Sequence, residues 1–340
     1  MTATSAIDPT IAIDPSIPTD PASTAPKVVD DPVRALGLDA DQLAAFAEEL
    51  DAIRARVESS LGAEDVAYLD RLIRVQRALE VAGRAAFFVG FWPPAWVGGV
   101  AALSLAKILD NMEIGHNVMH GQYDWVQDDR LAGARFEWDT DCPASQWRHT
   151  HNVIHHAFTN VRGVDRDLGY GVLRMDPDEP WRPKDLGNPL YALVLAVFFQ
   201  YGVMLHDLEV ERIVSGERTW AETAGLRAEM RAKLGRQTLK DYVVFPLLTG
   251  PSAPLTFAGN ALANLTRNLW AFTIIFCGHF PDGTVTFPPE VLDDDSRGAW
   301  YLRQVLGSAN ISGGPLFHVL SGNLSHQIEH HLFPDLPARR

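Results

Sequence analysis

The sequence predicts an all-α integral membrane protein with about four transmembrane helices and a cytoplasmic helical cap that holds a histidine-rich two-metal site. Three observations carry that expectation. Charge-free runs recur at 85–106, 186–206 and 242–281, the last broken only by Arg267. Amphipathic helical periodicity fills 40–84. Histidines cluster three times at helical ligand spacings: His116/His120 as H-x3-H, and both His151/His155/His156 and His326/His330/His331 as H-x3-H-H.

In 340 residues the net charge is -14, which argues against nucleic acid as a partner, because phosphate binding needs a basic face. Half of that excess sits in 1–84, with fifteen Asp/Glu against eight Lys/Arg. Two cysteines, Cys142 and Cys277, exclude a disulfide framework, a four-Cys zinc site and a Cys-ligated iron–sulfur cluster. A reducing, intracellular setting is expected.

Residues 1–32 hold six prolines among small and polar residues. They lack the apolar surface needed to order themselves, so 1–35 is expected as a disordered tail ahead of one domain, 36–340. No basic n-region with an apolar core follows the start, so no signal peptide is expected. Leu43, Phe46, Leu50, Ile53 and Val57 then form one apolar stripe. Gly62 breaks it, and Val66, Leu69, Leu72, Ile73 and Leu79 build a second helix.

The 22 charge-free residues of 85–106 are long enough to cross a bilayer, but Pro93-Pro94 leaves a tight hairpin or a broken span equally open. No span separates the first two histidine groups, so they share a side. For the third to join them, an even number of crossings must lie between His156 and His326. Seven Lys/Arg in 207–241 favour a cytoplasmic segment there. On that reading 186–206 lies along the interface and 242–281 forms a hairpin around 250–254. The rival topology has both runs spanning once. The active site and N-terminus are expected on the cytoplasmic face of the cell membrane.

The stretch 147–160, W-R-H-T-H-N-V-I-H-H-A-F-T-N, is the centre of the site. On a helix i and i+4 share a face, while i+5 is rotated further, so His155 and His156 are expected to serve two different metals. Imidazole alone does not name the metal. Eight or nine histidines exceed one ion's needs, so two ions are implied, with His279 in F-C-G-H-F-P as the best further ligand. A carboxylate di-metal bundle needs two Glu-x-x-His motifs; only Glu113–His116 fits, without a partner. The zincin motif is absent. A His-rich, carboxylate-poor centre at a membrane surface suits oxidation of an unactivated C–H bond by O2.

The motifs H116-N-V-M-H120, H151-N-V-I-H155-H156-A-F-T-N160 and Q327-I-E-H330-H331-L-F-P resemble the three histidine boxes of the membrane fatty-acyl desaturases. The strings at 111–125, 276–283, 300–310 and 326–337 are similar to those of actinobacterial stearoyl-CoA Δ9 desaturases, and the likeness runs from about residue 40 to the end. The resemblance implies two Fe ions, O2 as co-substrate, and desaturation of a long-chain acyl-CoA or acyl lipid. It carries over His116, His120, His151, His155, His156, His279, Gln327, His330 and His331 as metal ligands. Gln327 holds the family register, whereas helical spacing alone favours His326. Related enzymes continue past the third box, so a C-terminally truncated domain is expected.

No His-Pro-Gly-Gly haem signature and no flavin motif appears, so a separate ferredoxin- or flavin-reductase-type donor is expected. The segment 211–241, with seven basic against five acidic groups, offers a surface for an acidic donor or CoA phosphates, or is a solvated helix. Competing functions are an acyl or lipid hydroxylase, a front-end (Δ6-type) desaturase, and a His-rich metal-binding membrane protein. The last would place its ligands inside spans.

Overall fold

Asp39 opens the first long helix, α1 (Ala40–Ser59), through a reciprocal capping box: its carboxylate accepts from the Gln42 amide at 2.8 Å, and Gln42 Oε1 accepts from the Asp39 amide at 2.9 Å. The computed structural model describes residues 27–176, 179–281, 283–293 and 296–340. Within that range the regular structure is predominantly helical, with a two-residue parallel pairing of β1 (Lys27–Val28) with β2 (Val285–Thr286) and one isolated bridge, Val161–Phe287. Most of the expected tail therefore lies outside the described residues. Within 27–35, β1 pairs with β2, and Pro32–Ala35 forms a helical turn capped by Asp31.

Gly62 ends the first stripe as expected, and α2 (Ala63–Ala86) follows. The run 85–106 resolves as the hairpin alternative. Phe87–Val89 forms a 3-10 turn, and Pro93-Pro94 sits at the first turn of α3 (Pro93–Leu109), where missing amides cost nothing. The hairpin is tight because its faces are small: a Cβ on Gly83 would lie 2.9 Å from the Leu103 amide nitrogen.

The run 186–206 is two helices, α4 (Asn188–Val197) and α5 (Phe199–His206), with a 96° bend between them. A second hairpin is formed by α6 (Ala224–Leu239), extended through Lys240–Val244 and Phe245–Leu248, and by α7 (Ala253–Ala271). Its turn is at Gly250–Ser252, where the sequence placed it. The hairpins pack side by side with Phe87, Val100, Leu103 and Ala263 buried between them. Burying a side chain like Phe87 contributes about 1.5–3 kcal/mol. Gly259 admits it, since a Cβ there would lie 2.5 Å from Phe87 Cζ. Arg84, Lys107 and Asp241 bolt the helices together, the carboxylate lying 3.1 Å from Arg84 Nη2 and 2.9 Å from Lys107 Nζ.

Among the described residues no single helix is long and apolar enough to cross a membrane. Among the described residues one bent pair, Pro183–Val197 with Phe199–His206, which contains α4 and α5, reaches that length and composition. α2 carries charges along its length, and α3 and α6 are only 17 and 16 residues long. In place of separate long spans, the apolar runs form two helical hairpins and one bent pair.

The remaining helices make a cap. Leu43 and Ala47 of α1 pack against α8 (Arg297–Leu306), which in turn meets α9 (Gln327–Leu332) through Tyr301 and Leu332. Between cap and hairpins the backbone is wound as π-helix at Asp110–His116, Arg148–His155 and Phe272–Phe276. Those segments carry or immediately precede the histidines.

Candidate metal centre

The second histidine stretch is not an α-helix, as its composition suggested, but a π-helix, Arg148–His155, continuing a short α-turn Ala144–Trp147. The His156 amide bonds the His151 carbonyl at 3.0 Å, five residues back, so i and i+5 come together. Nε2 of His151 and Nε2 of His156 lie 3.3 Å apart. His155 is turned away toward other partners, so the adjacent pair does diverge.

Two groups result. In the first, Nε2 of His116 is 3.3 Å from Nε2 of both His120 and His151, and ligand atoms of His116, His120, His151 and His330 all lie within 4.8 Å of one another. In the second, Nε2 of His279 is 3.0 Å from that of His155 and 3.2 Å from that of His331. Gln327 Nε2 is 2.7 Å from His279 Nε2. His156 stands between the groups, its ring stacked on His331 at 4.6 Å and edge-on to His120 at 4.7 Å. All nine residues are buried. Thus each residue carried over from the boxes reaches one site. His326 does not: it is exposed and stacks on His318 at 4.7 Å. His149 also stays out, with Nδ1 3.0 Å from Asp207 and a side chain 59% exposed.

The rings are aimed by partners on their far nitrogens. Asp165 takes Nδ1 of His155 at 3.0 Å, and Asn117 Oδ1 takes Nδ1 of His116 at 3.2 Å. The Ile275 carbonyl takes Nδ1 of His279 at 2.5 Å. Nδ1 of His331 faces Thr159 Oγ1 at 3.1 Å and Gln304 Oε1 at 3.3 Å; the Thr159 hydroxyl gives its own proton to the His155 carbonyl, so it accepts from His331. Each of these leaves Nε2 free to face the cluster. Trp147 stacks on His151 at 4.4 Å and closes one side.

Burial, reinforced by neighbouring imidazoles, pulls His116, His120, His156, His330 and His331 well below the ordinary histidine range. Burial beside His155 takes His279 down to about 3, and burial lowers His151 against the pull of Asp167. His155 differs: burial lowers it, but the Asp165 and Asp167 carboxylates outweigh that and raise it to about 9. Apart from His155, this is a buried set of imidazoles pushed to the neutral form, and their opposed lone pairs call for a cation between them. His156 Nδ1, His330 Nε2 and Gln327 Oε1 are buried without hydrogen-bond partners, so the donor set fits two metal ions.

Sequence reasoning missed Asp165, Asp167, His206, Gln304 and Thr159. An Asp167 oxygen lies 2.9 Å from His206 Nε2 and another lies 3.7 Å from Nδ1 of His151 and of His155. The acidic D-R-D pair ten residues past the box was the available signal. Glu113, the lone Glu-x-x-His carboxylate, points away from the site, accepting from Tyr68 at 2.5 Å and from Asn323 at 2.9 and 3.0 Å. The basic residues of 211–241 are largely spent internally: Arg212 and Arg218 on Glu209, Lys233 on Glu137 and Lys240 on Asp139.

A cleft runs past His116 and His151, walled by Trp138, Trp147, Tyr170, Phe199 and Ile275. Thr150 and His206 join it to an open outer cavity of about 860 Å³ that includes Arg162, Arg166 and Arg212. Gln200, Arg267 and Asn268 also line the cleft and are not shared with the outer cavity.

Helices, a buried carboxylate-poor histidine cluster and an adjoining cleft define a helical protein with a preformed histidine-rich site of metal-binding type. Residues 90–340 match the family model described as fatty acid desaturase, and the chain belongs to that family. It is 47% identical over 318 residues to an NADPH-dependent stearoyl-CoA 9-desaturase of Mycobacterium tuberculosis, covering 92% of this chain and 74% of that protein. It is 26% identical over 261 residues to an sn-1 linoleoyl-lipid 6-desaturase of Synechocystis, covering 73% and 71%. An acyl-lipid (7-3)-desaturase of Rebecca salina is 29% identical over 193 residues, covering 55% and 42%. No solved structure matches.

Proposed function

We propose that this enzyme desaturates a long-chain acyl-CoA, octadecanoyl in the first instance, at the Δ9 position. The observation that carries the reading is the pair of buried ligand groups beside an apolar cleft, in a chain that belongs to the fatty acid desaturase family. The balance is one CH2–CH2 unit, O2, two electrons and two protons giving one CH=CH unit and two waters.

The first ion is assigned to His116, His120, His151 and His330, the second to His155, His279, His331 and Gln327, with His156 between them. Two iron ions, when bound, supply the oxidant for an unactivated C–H bond. The chain's own residues bind and orient. Asp165, Asn117, Thr159 and Gln304 hold imidazole tautomers, and the aromatic walls of the cleft exclude water and hold the alkyl chain. Electrons come from a separate reductase-type protein.

The domain is taken as 36–340. The two hairpins are assigned to the bilayer as four crossings entered from the cytoplasmic side. Their tips support this: Trp92 is 64% exposed and Leu247 71%, with Phe88, Phe91, Leu248 and Phe257 beside them. Apolar side chains crowded at a tip, with Trp among them, suit lipid. The bent α4–α5 pair then lies along the interface, with Leu190, Leu193, Val194 and Phe198 outward.

The test is mass spectrometry of fatty acids, with double-bond localisation, from a host expressing the full chain. A Δ9 monoene is the expected product. A hydroxy acid as sole product, or a double bond at Δ6, overturns the assignment. His155→Ala and His156→Ala should each abolish the product and lose iron while still entering membranes.

A further inference from the structure

The cleft beside the histidines ends on charge rather than on bulk. Arg267 is the only charged residue between 242 and 281, and its side chain is fully buried. Its guanidinium donates to Gln200 Oε1 through Nη2, to the Asp139 carbonyl through Nη1 at 3.2 Å, and to Asn268 Oδ1 through Nε at 3.2 Å. Gln200, Arg267 and Asn268 line the cleft together with Trp147, Tyr170, Phe199 and Ile275, and none of the three is among the residues that the cleft shares with the outer cavity.

The fold explains why polar groups stand here. The 96° bend between α4 and α5 frees backbone carbonyls at its corner. Asn268 Nδ2 satisfies the Val197 carbonyl at 2.9 Å, and Gln200, on the first turn of α5, turns back to Arg267. The corner, the amides and the guanidinium form one hydrogen-bonded plug. An alkyl terminus can pass it only by stripping acceptors from a buried cation, which costs far more than moving an apolar side chain.

We propose that Gln200 and Arg267 are specificity-determining residues that stop the methyl end of the acyl chain and so set the longest substrate. This rests on the acyl-desaturation reading above. Because the barrier is electrostatic, enlarging the space without removing the charge leaves the length limit in place. Replacing both partners by apolar residues of similar size lifts it.

The experiment expresses the full chain in host membranes with the host's electron donors and offers octadecanoyl and eicosanoyl chains in competition. Gln200→Leu/Arg267→Leu should raise the eicosanoyl-to-octadecanoyl product ratio about tenfold, the worth of roughly two further buried methylenes. Gln200→Ala should leave the ratio within about twofold, since the guanidinium stays. An unshifted ratio in the double variant, or equal lengthening by Gln200→Ala, overturns the stop. If the double variant does not accumulate, the wild type decides through a substrate whose methyl end carries a hydroxyl. A polar plug should discriminate against 18-hydroxyoctadecanoyl by less than about tenfold, whereas an apolar tunnel end rejects it by about a hundredfold. Discrimination of tenfold or more overturns the stop. No product from any saturated chain in the wild type would sink the desaturation reading, an outcome distinct from turnover with an unshifted length profile.

Discussion

Nδ1 of His155 lies 3.0 Å from a carboxylate oxygen of Asp165, and both side chains are wholly buried. Asp165 is itself held by the amides of Asn160 at 2.8 Å and Asp167 at 3.0 Å. The carboxylate therefore anchors Nδ1–H and aims Nε2 at His279.

Asp165→Asn should weaken metal binding at the second group by about ten- to a hundredfold while the protein still folds, because an amide holds the ring less firmly and leaves it less basic. Metal titration of the purified protein, read by bound iron per chain, checks this. Unchanged affinity would remove Asp165 from the site's design.

Gln327 and His326 are adjacent but part company. Gln327 is buried against His279 and His331, and His326 is exposed on His318. Gln327→Ala should lose iron from the second group, and His326→Ala should keep it. Iron analysis of the two variants decides, and the reverse pattern contradicts the assignment.

His149→Phe and His318→Phe should retain full iron. His149 is bonded to Asp207 at the surface, and His318 to Ser325 at 2.7 Å and to the Gly313 carbonyl at 2.8 Å. Loss of about one iron per chain in either would show that the site extends further than the two groups.

Burial raises the Glu113 carboxyl from 4.5 to about 8, against the opposing bonds from Tyr68, Asn323 and Asn117. A folded-state value above the unfolded one means the folded protein binds the extra proton between the two. That stability is fully present below the unfolded value and is lost as pH rises through the folded one. Thermal unfolding in detergent should therefore show a midpoint that falls between about pH 6 and about pH 9 by more in the wild type than in Glu113→Gln. Parallel curves for the two proteins would refute the buried acid.

Much of the site was legible in the sequence because ligand spacing is local. A metal ligand on a helical turn must recur within four or five residues, and all three boxes do. His279 emerged from the count of ligands, not from its own spacing. The outer partners were not legible: Asp165, Thr159 and Gln304 reach their rings across turns and separate helices, and no local period marks them. The choice between Gln327 and His326 was equally closed, since register favoured one and helical spacing the other.

The sequence by itself determined the helical class, the family, the breaks at Gly62 and Pro93, and the turn near Gly250, because caps, Gly and Pro act on their own neighbours. Tertiary structure alone decided that the second box winds as a π-helix, bringing His151 to His156. That winding costs backbone geometry locally, and only the convergence of imidazoles from four separate segments offsets it. It also decided that 186–206 bends by 96° and not runs straight. Its corner carbonyl finds Asn268 on a helix about seventy residues away, a partner that no stretch of α4 or α5 contains.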